Sequence, residues 1–549
     1  MHRISVSRRV AAGLMFLWGA VACVEAATQQ VSLQRLDAYI QQAQQDWRVP
    51  GVAVGVIQNG AVIWSKGYGA REIGKQPRVD SGTLFEIGSL TKAMAAASLG
   101  ILVDEGKLSW DDPVIEHLPS FRVADPWLSR NITVRDLVAG RSGVEGGAYA
   151  VVPMDTKQVL RTAVHVPSRG AFRDSLLYSN VMYDIAGELV AEVSGMSWGE
   201  FVERRIFQPL RMGSSRASAD TAGIWDAAYL APSMYGQAPA GRAGIENAPD
   251  ANVAMPHWHT PQGLKALPWQ ISQTGGSAAG SVVANLDDML KWVQFNLGDG
   301  PPLLRTSTLS ELHTPQIFVR KSPSNSFSLV QRAIDQVSPS ESTAAYAMGW
   351  FVQDYRKHRM LNHGGALLGG LSVIAMIPER DIAVVVLANS YGRDGMGLMT
   401  WAIALRALDV LLQVEPHDWS GELLNVVKRR DVESAAEQQR VEQSRLRGTR
   451  PSLPLQSYVG EYENAEFGRI RVDQVGEGLA LRLPGVFDWR LEHWHNDTFR
   501  LHVSTSGVDL MQFFLTFQVD QAAKVRSFDG GWGVLGGRFV PTVQRPEPN

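Results

Sequence analysis

The stretch Phe85-Glu86-Ile87-Gly88-Ser89-Leu90-Thr91-Lys92 carries a serine and a lysine three residues apart, directly after a glycine. An alanine-rich run with helical character follows it and ends near Gly106, so the pattern predicts a helix that begins directly after Gly88. Residues at positions i and i+3 of a helix lie on one face, and we therefore expect Ser89 and Lys92 side by side.

A serine beside a lysine is a nucleophile only under defined conditions. A hydroxyl reacts poorly until a neighbouring base takes its proton. An amine can be that base when burial and nearby positive potential lower its pKa. The N–H groups at a helix start supply such a potential and also stabilise a developing anion. The S-x-x-K spacing arises by chance in a chain of this length, so other residues must support the assignment.

Two further motifs carry groups that suit the same chemistry. Tyr178-Ser179-Asn180 offers a tyrosine that can relay protons and an amide that can hold a lysine or a substrate amide. His363-Gly364-Gly365 offers glycines past which a substrate backbone can approach closely. Each motif also has a structural interpretation. A second Y-x-N, at 462–464, indicates only a strand and a turn, so this motif is a weak signal by itself. A single histidine such as His363 is often a hydrogen-bonded loop residue.

Composition and charge exclude several classes of function. The 549 residues have a formal net charge of −3; 45% are hydrophobic and 19% charged. Such a chain can bury a large core, and its charge gives no general attraction to nucleic acid or anionic membranes. The single cysteine, Cys23, excludes a disulfide framework, a zinc ribbon and a cysteine nucleophile in the folded body. His-Trp-His pairs at 257–259 and 493–495 lack a neighbouring ligand pattern, so we expect no metal ion.

Residues 1–26 have the pattern of a signal peptide. Three arginines up to Arg9 precede an apolar run from Val10 to Val24, which is shorter than the roughly 20 residues of a membrane span. We therefore expect export, to the periplasm or outside the cell. Ala20-Val21-Ala22-Cys23 also resembles a relaxed lipoprotein site, which leaves a lipid anchor at Cys23 open.

The body of the chain is predicted to be an α+β domain over 31–415. Asn59-Gly60 between apolar runs predicts a β-hairpin, and strands are expected at 349–352, 372–377 and 382–387. Strands at both ends with helices between them favour one sheet that joins the two ends of the domain. The Pro-, Gly- and Ala-rich residues 230–275 indicate a long ordered loop at the rim of the site, with a disordered insertion as the alternative.

Residues 416–549 fall into two regions of different character. Residues 416–453 are charged and predict a solvated helical linker. Residues 454–549 alternate short apolar runs with Gly, Asp and Asn turns, which indicates about eight strands in a small antiparallel barrel or sandwich.

Taken in order, the three motifs resemble those of the serine β-lactamase-like hydrolases. This group contains the class C β-lactamases, penicillin-binding proteins, and related esterases and D-aminopeptidases. Arg141-Ser142-Gly143 and Met348-Gly349-Trp350 agree with the resemblance, which covers about residues 31–415. Residues 455–549 are similar to a β-barrel module that is appended to such hydrolases.

The resemblance implies a role for each residue and requires no cofactor. Ser89 would be the nucleophile, and Lys92 and Tyr178 would share the acid and base work. Asn180 would hold Lys92 and the substrate amide. Backbone N–H groups of Ser89 and Ala366 would form the oxyanion hole, beside Gly364 and Gly365, where a small-molecule or peptide substrate would bind.

His363 is a departure from the β-lactamase pattern, which has lysine there. Because an unperturbed histidine titrates near 6.5, we expect His363 to bind a drug carboxylate poorly at neutral pH and better in acid. This favours an ester, amide or D-amino peptide substrate. A β-lactamase or D,D-peptidase, and a non-catalytic sensor of peptidoglycan fragments or β-lactams, are the alternatives.

Overall fold

The structure is a computed structural model that describes fourteen parts of the chain. The predicted signal peptide, Cys23 and most of the predicted rim loop lie outside them. The described residues are 31–144, 156–166, 168, 170–217, 252–267, 277–320, 326–338, 344–390, 392, 397–464, 468–482, 488–505, 507–530 and 537–542.

An eight-stranded antiparallel sheet organises the N-terminal body. The first two strands form the predicted hairpin, and Asn59 (φ 51°) and Gly60 (φ 72°) both take the left-handed conformation that a type I′ turn requires. The strands of the sheet are β1 Gly51–Gln58, β2 Ala61–Gly69, β7 Ile317–Phe318, β8 Ala345–Tyr346, β9 Phe351–Tyr355, β10 His358–Leu367, β11 Gly370–Ile377 and β12 Ile382–Ala388. From one edge of the sheet to the other, their order is β2-β1-β12-β11-β10-β9-β8-β7. Two small pairs, β3 Phe85–Glu86 with β6 Val283–Ala284, and β4 His257–Thr260 with β5 Gly263–Ala266, lie outside it.

Helices cover both faces of this sheet, which explains why its central strands are apolar at nearly every position. Val54 and its alternate neighbours in β1 pack with α1 (31–46), α13 and α14, while Ala53 and Ile57 pack with α2 and α10. Because successive side chains of a strand point to opposite faces of the sheet, one strand contributes to two separate hydrophobic cores. The other helices are α2 Thr91–Asp104, α3 Val114–His117, α4 Pro126–Asn131, α5 Val134–Val138, α6 Thr156–Ala163, α7 Asn180–Ser194, α8 Trp198–Val202, α9 Gln208–Leu210, α10 Leu286–Leu297, α11 Thr306–Leu312, α12 Ser326–Val337, α13 Leu398–Leu411 and α14 Trp419–Gln443.

The C-terminal region is a closed barrel of eight antiparallel strands. Its interior is filled by aromatic and aliphatic side chains, among them Phe528 stacked on Phe539 with ring centroids 4.7 Å apart. This confirms the α+β class with an appended β barrel. The barrel strands are β13 Gly460–Asn464, β14 Gly468–Val475, β15 Gly478–Arg482, β16 Asp488–His495, β17 Thr498–Thr505, β18 Val508–Val519, β19 Val525–Gly530 and β20 Gly537–Pro541.

Two local expectations need correction. The strand expected at 349–352 begins at Phe351, because Gly349 has a φ of 82° and turns the chain. The helix expected as a solvated linker, α14, is solvated only in its later part: Trp419, Leu423 and Val427 are buried against α13 and the sheet.

The far end of α14 leads directly to the barrel. Glu442 forms an ion pair with Arg500, and the Arg445 guanidinium donates to the carbonyl oxygens of His493 (2.7 Å) and Trp494 (2.9 Å). None of the described helices combines the length and apolar character needed to cross a bilayer.

Candidate active site

Ser89 lies in a single 3₁₀ turn, Gly88–Leu90, that leads into α2. Gly88 has a φ of 52°, and a Cβ on it would lie 2.8 Å from the backbone nitrogen of Ala366. A glycine is therefore required for this turn to approach strand β10. The backbone around Ser89 therefore lies against the backbone of Ala366, and these are the two segments that the predicted oxyanion hole combines.

Lys92 is fully buried one turn after Ser89. Its Nζ donates to Ser89 Oγ at 3.0 Å and to the Ala279 carbonyl oxygen at 2.6 Å. Burial lowers the pKa of Lys92 to about 7, while the charge of Asp184 opposes this shift. The i,i+3 prediction is thus matched by contact between the two side chains.

Two tyrosine rings enclose the amine. Lys92 Nζ lies 4.9 Å from the ring centroid of Tyr178 and 5.3 Å from that of Tyr183. Burial raises the pKa of Tyr178 well above that of free tyrosine, and a hydrogen bond with Ser89 opposes the rise. The structure therefore brings Ser89, Lys92 and Tyr178 together from α2 and from the residue two before α7.

Strand β10 closes the site and fixes the loop that carries Ser89. Gly365 faces Ile87: a Cβ on it would lie 1.9 Å from the Ile87 carbonyl oxygen and 2.3 Å from Ser372 Oγ. Ser372 Oγ donates to the same carbonyl oxygen at 2.7 Å. Gly364 faces the other side of the sheet, where its Cβ would be 3.6 Å from Trp401. Of the two glycines, Gly365 is the one whose lack of a side chain the fold requires.

His363 is placed beside Tyr178 but is not the titrating group that the sequence led us to expect. It is 2% exposed, among Tyr178, Tyr346 and Phe351. Burial and the nearby charge of Lys92 lower the pKa of His363 to about 3. Its Nδ1 lies 2.7 Å from the Gly364 carbonyl oxygen, to which it donates. The expectation that His363 gains charge near pH 6.5 is wrong, because its ring is desolvated.

Asn180 occupies the first position of α7, and it makes no hydrogen bond to Lys92 within the described part of the chain. The carbonyl of Ala279 fills that place. Asp184 also faces this region, where its carboxylate accepts from Ser277 Oγ (2.6 Å) and from the Ala279 amide (3.1 Å). Sequence reasoning missed these residues, although an acid among the apolar residues that open α7 was a signal for Asp184.

The His-Trp-His pairs have structural roles. His257 is buried: its Nε2 accepts from the Ile73 amide at 3.0 Å and its Nδ1 donates to the Asn389 carbonyl at 2.9 Å. His493 Nε2 donates to the Asn496 carbonyl at 2.9 Å. Across the described residues, no group of three or more His, Cys, Asp or Glu side chains could hold a metal ion.

A serine and a buried lysine at the start of a helix, facing a glycine-rich strand of an antiparallel sheet, define a β-lactamase-like site. The chain belongs to the Beta-lactamase family, whose model matches residues 36–408. A second model, described as a domain of unknown function (DUF3471), matches residues 444–530, which include most of the barrel.

Curated relatives support the family over a long span. The chain is 26% identical over 449 residues to Unguisins hydrolase ungD' of Aspergillus campestris, covering 79% of this chain and 76% of the relative. It is 24% identical over 367 residues to Protein flp of Staphylococcus aureus (strain COL), covering 65% and 63%. Members of this family are largely serine hydrolases.

Two solved structures share the fold. The octameric penicillin-binding protein homologue from Pyrococcus abyssi has a TM-score of 0.57 at 20% identity, over 92% of this chain and 99% of that one. EstCE1, titled a hydrolase with promiscuous acyltransferase activity, has a TM-score of 0.54 at 18% identity, over 69% and 99%.

Proposed function

We propose that this protein is a serine hydrolase that cleaves an ester, amide or peptide bond through an acyl-enzyme on Ser89. One observation carries the proposal: a fully buried lysine amine lies 3.0 Å from the hydroxyl of a partly exposed serine at a helix start. Burying a lysine amine next to a serine hydroxyl does little for the stability of the fold. An amine whose pKa is lowered by burial can, however, take the proton of that hydroxyl and so activate the nucleophile.

The pKa directions favour Lys92 as the base that deprotonates Ser89. Burial lowers the pKa of the amine, so a neutral form exists near pH 7, and burial raises the pKa of the Tyr178 phenol, so the phenolate is rare. Lys92 then keeps an N–H for the Ala279 carbonyl and presents its lone pair to Ser89. Tyr178 remains a proton donor toward the leaving group.

The reaction follows from these positions. Ser89 Oγ forms a bond to the substrate carbonyl carbon while its proton passes to Lys92 Nζ. The carbonyl oxygen becomes an oxyanion that accepts hydrogen bonds from the backbone N–H groups of Ser89 and Ala366. The bond to the leaving group breaks as that group receives, through Tyr178, the proton that Lys92 took from Ser89, so Lys92 is neutral again. Water then attacks the acyl carbon while its proton passes to Lys92, and this proton returns to Ser89 Oγ as the acyl–oxygen bond breaks and the acid is released.

The charges around the site favour a substrate without a free carboxylate. His363 is neutral across the ordinary pH range. Because a neutral His363 offers no charge to pair with a β-lactam carboxylate, we propose neutral esters and amides as substrates.

The names of the relatives agree with hydrolysis or acyl transfer. Two Aspergillus relatives are named unguisins hydrolases, and one structural neighbour is titled a hydrolase with acyltransferase activity. Export of this chain remains a proposal that rests on residues 1–26. Sequencing the N-terminus of the protein recovered from its host would test it, and a lipid-shifted mass at Cys23 would reveal an anchor.

Turnover on a matched panel tests the proposed function. We expect wild type to hydrolyse p-nitrophenyl butyrate or a D-amino p-nitroanilide better than nitrocefin, and Ser89→Ala to lose at least about 100-fold. Equal rates in both proteins on every substrate would reject a serine hydrolase. A stable acyl adduct without turnover would instead support the sensor, and nitrocefin as the best substrate would support a β-lactamase.

A further inference from the structure

A buried carboxylate, Asp184, lies on α7 near the base Lys92, and its described hydrogen bonds are to residues other than Ser89. Its Oδ1 accepts two hydrogen bonds, from Ser277 Oγ at 2.6 Å and from the Ala279 amide at 3.1 Å. The carbonyl oxygen of that same Ala279 accepts from Lys92 Nζ at 2.6 Å. The carboxylate is therefore connected to the base through one residue.

The segment 277–282 acts as a wedge between α7 and the nucleophile. On one side, Ala278 packs against Gly187, one turn after Asp184, where a Cβ would lie 2.9 Å from it. On the other side, the Ile87 amide donates to the Val282 carbonyl at 3.1 Å, and the Val282 amide donates to Thr91 Oγ1 at 3.2 Å. Contacts that hold segment 277–282 on α7 therefore also hold Ile87 and Thr91, which lie two residues before and after Ser89.

We propose that Asp184 is the positioning residue for the base: its two hydrogen bonds aim the Ala279 carbonyl at Lys92, and its negative charge supports the amine through space. This rests on the proposed function, because it assigns the base of that reaction. Asp184 does not pair directly with Lys92, so its charge can moderate the amine without occupying an N–H or blocking the lone pair.

Asp184 is the formal charge that bears most directly on Lys92. Other titratable groups face the amine from α7, the residues before it and β10, but burial keeps each of them uncharged near neutral pH: Tyr178, Tyr183 and His363. Glu188, one turn farther along α7, acts on Asp184 and raises its pKa, as burial does. Lys92 and Asp184 consequently titrate as a pair.

Removing the negative charge should make Lys92 a weaker base. The folded pKa of the amine falls when the anion is lost, so Asp184→Asn should move the acid limb of the acylation profile toward lower pH. A less basic amine also accelerates proton transfer less, so the plateau rate should fall by about tenfold. A role in packing alone would lower stability but would leave the limb in place.

The experiment is the pH profile of burst acylation with p-nitrophenyl butyrate in the full chain. We expect the limb of Asp184→Asn to shift by half a pH unit or more, and Asp184→Glu to restore it toward wild type. Ser277→Ala removes a hydrogen bond that favours the ionised Asp184 carboxylate, so its limb should shift in the same direction as that of Asp184→Asn but by less, and its plateau should fall. Ser98→Ala is the matched control: it removes a buried hydroxyl on α2 that bonds within that helix, to the Met94 carbonyl, and it should leave the profile unchanged.

Coincident limbs for wild type and Asp184→Asn would overturn the proposal. If Asp184→Asn does not fold, Ser277→Ala decides, because wild-type acylation in a folded Ser277→Ala protein would also overturn it. Failure of the proposed function is distinct: in that case wild type itself either releases no p-nitrophenolate or stops after a single burst without turnover.

Discussion

Gly365→Ala tests whether strand β10 holds the nucleophile in place. The new Cβ would lie 1.9 Å from the Ile87 carbonyl oxygen and 2.3 Å from Ser372 Oγ. Neither atom can yield freely, since Ser372 donates to that carbonyl at 2.7 Å and Ile87 also pairs with Val282. The loop must therefore move by about 1 Å, and a displacement of that size at reacting groups costs about 100-fold in rate.

The stability of the same variant can be weighed as well. Overpacking costs about 1–3 kcal/mol, and this outweighs the about 0.4–1 kcal/mol that Gly→Ala contributes by restricting the unfolded chain. We expect the melting temperature to fall by several degrees and the acylation rate, read from the p-nitrophenolate burst, to fall by about 100-fold.

The neighbouring glycine provides the matched control for stability. In Gly364→Ala the Cβ meets Trp401 at 3.6 Å, an ordinary contact, so the melting temperature should stay at or slightly above that of wild type. If Gly365→Ala kept both the wild-type melting temperature and the wild-type burst, the reasoning that this contact positions Ser89 would be refuted.

Three more outcomes follow from the site. Tyr178→Phe should slow acylation by about two to four orders of magnitude while Ser89 still forms the adduct; a burst at the wild-type rate would limit Tyr178 to packing on Lys92. The ratio of kcat/KM for nitrocefin to that for p-nitrophenyl butyrate should stay flat between pH 5.5 and 8, because His363 remains neutral throughout; a rise in acid would mean that His363 titrates. Asp136→Asn should destabilise the fold by about 3 kcal/mol, because it leaves two arginines without their buried partner. Although burial opposes it, hydrogen bonding to Arg173 lowers the pKa of Asp136 in the fold, so its contribution is present above the unfolded pKa and is lost as pH falls through the folded one. Urea denaturation of both proteins at pH 7 and pH 3 should show their difference shrink in acid.

Local signals were sufficient for much of the fold. The Asn59-Gly60 hairpin needed only turn chemistry, and the turn and helix that carry Ser89 and Lys92 needed only Gly88 and the apolar run after it. The barrel was indicated by short apolar runs and turns. In each case neighbours along the chain determine the conformation, so the sequence contains the answer locally.

The remaining features depend on contacts between distant segments. The pKa of His363 follows from burial by Tyr346 and Phe351 and from the charge of Lys92, which no local pattern encodes. Ala279 reaches Lys92 through its backbone, so its side-chain identity carries no signal. Asp184 could be suspected as an acid in an apolar helix, but its partners lie about 95 residues away along the chain.

The central claim is that Ser89 is the nucleophile and that Lys92 activates it. Intact-mass measurement after treatment with a fluorophosphonate tests this most directly, in wild type, Ser89→Ala and Lys92→Met. The account predicts one adduct on wild type, none on Ser89→Ala, and formation slowed by at least about 100-fold in a folded Lys92→Met protein. An adduct of the same mass and rate on Ser89→Ala would contradict it.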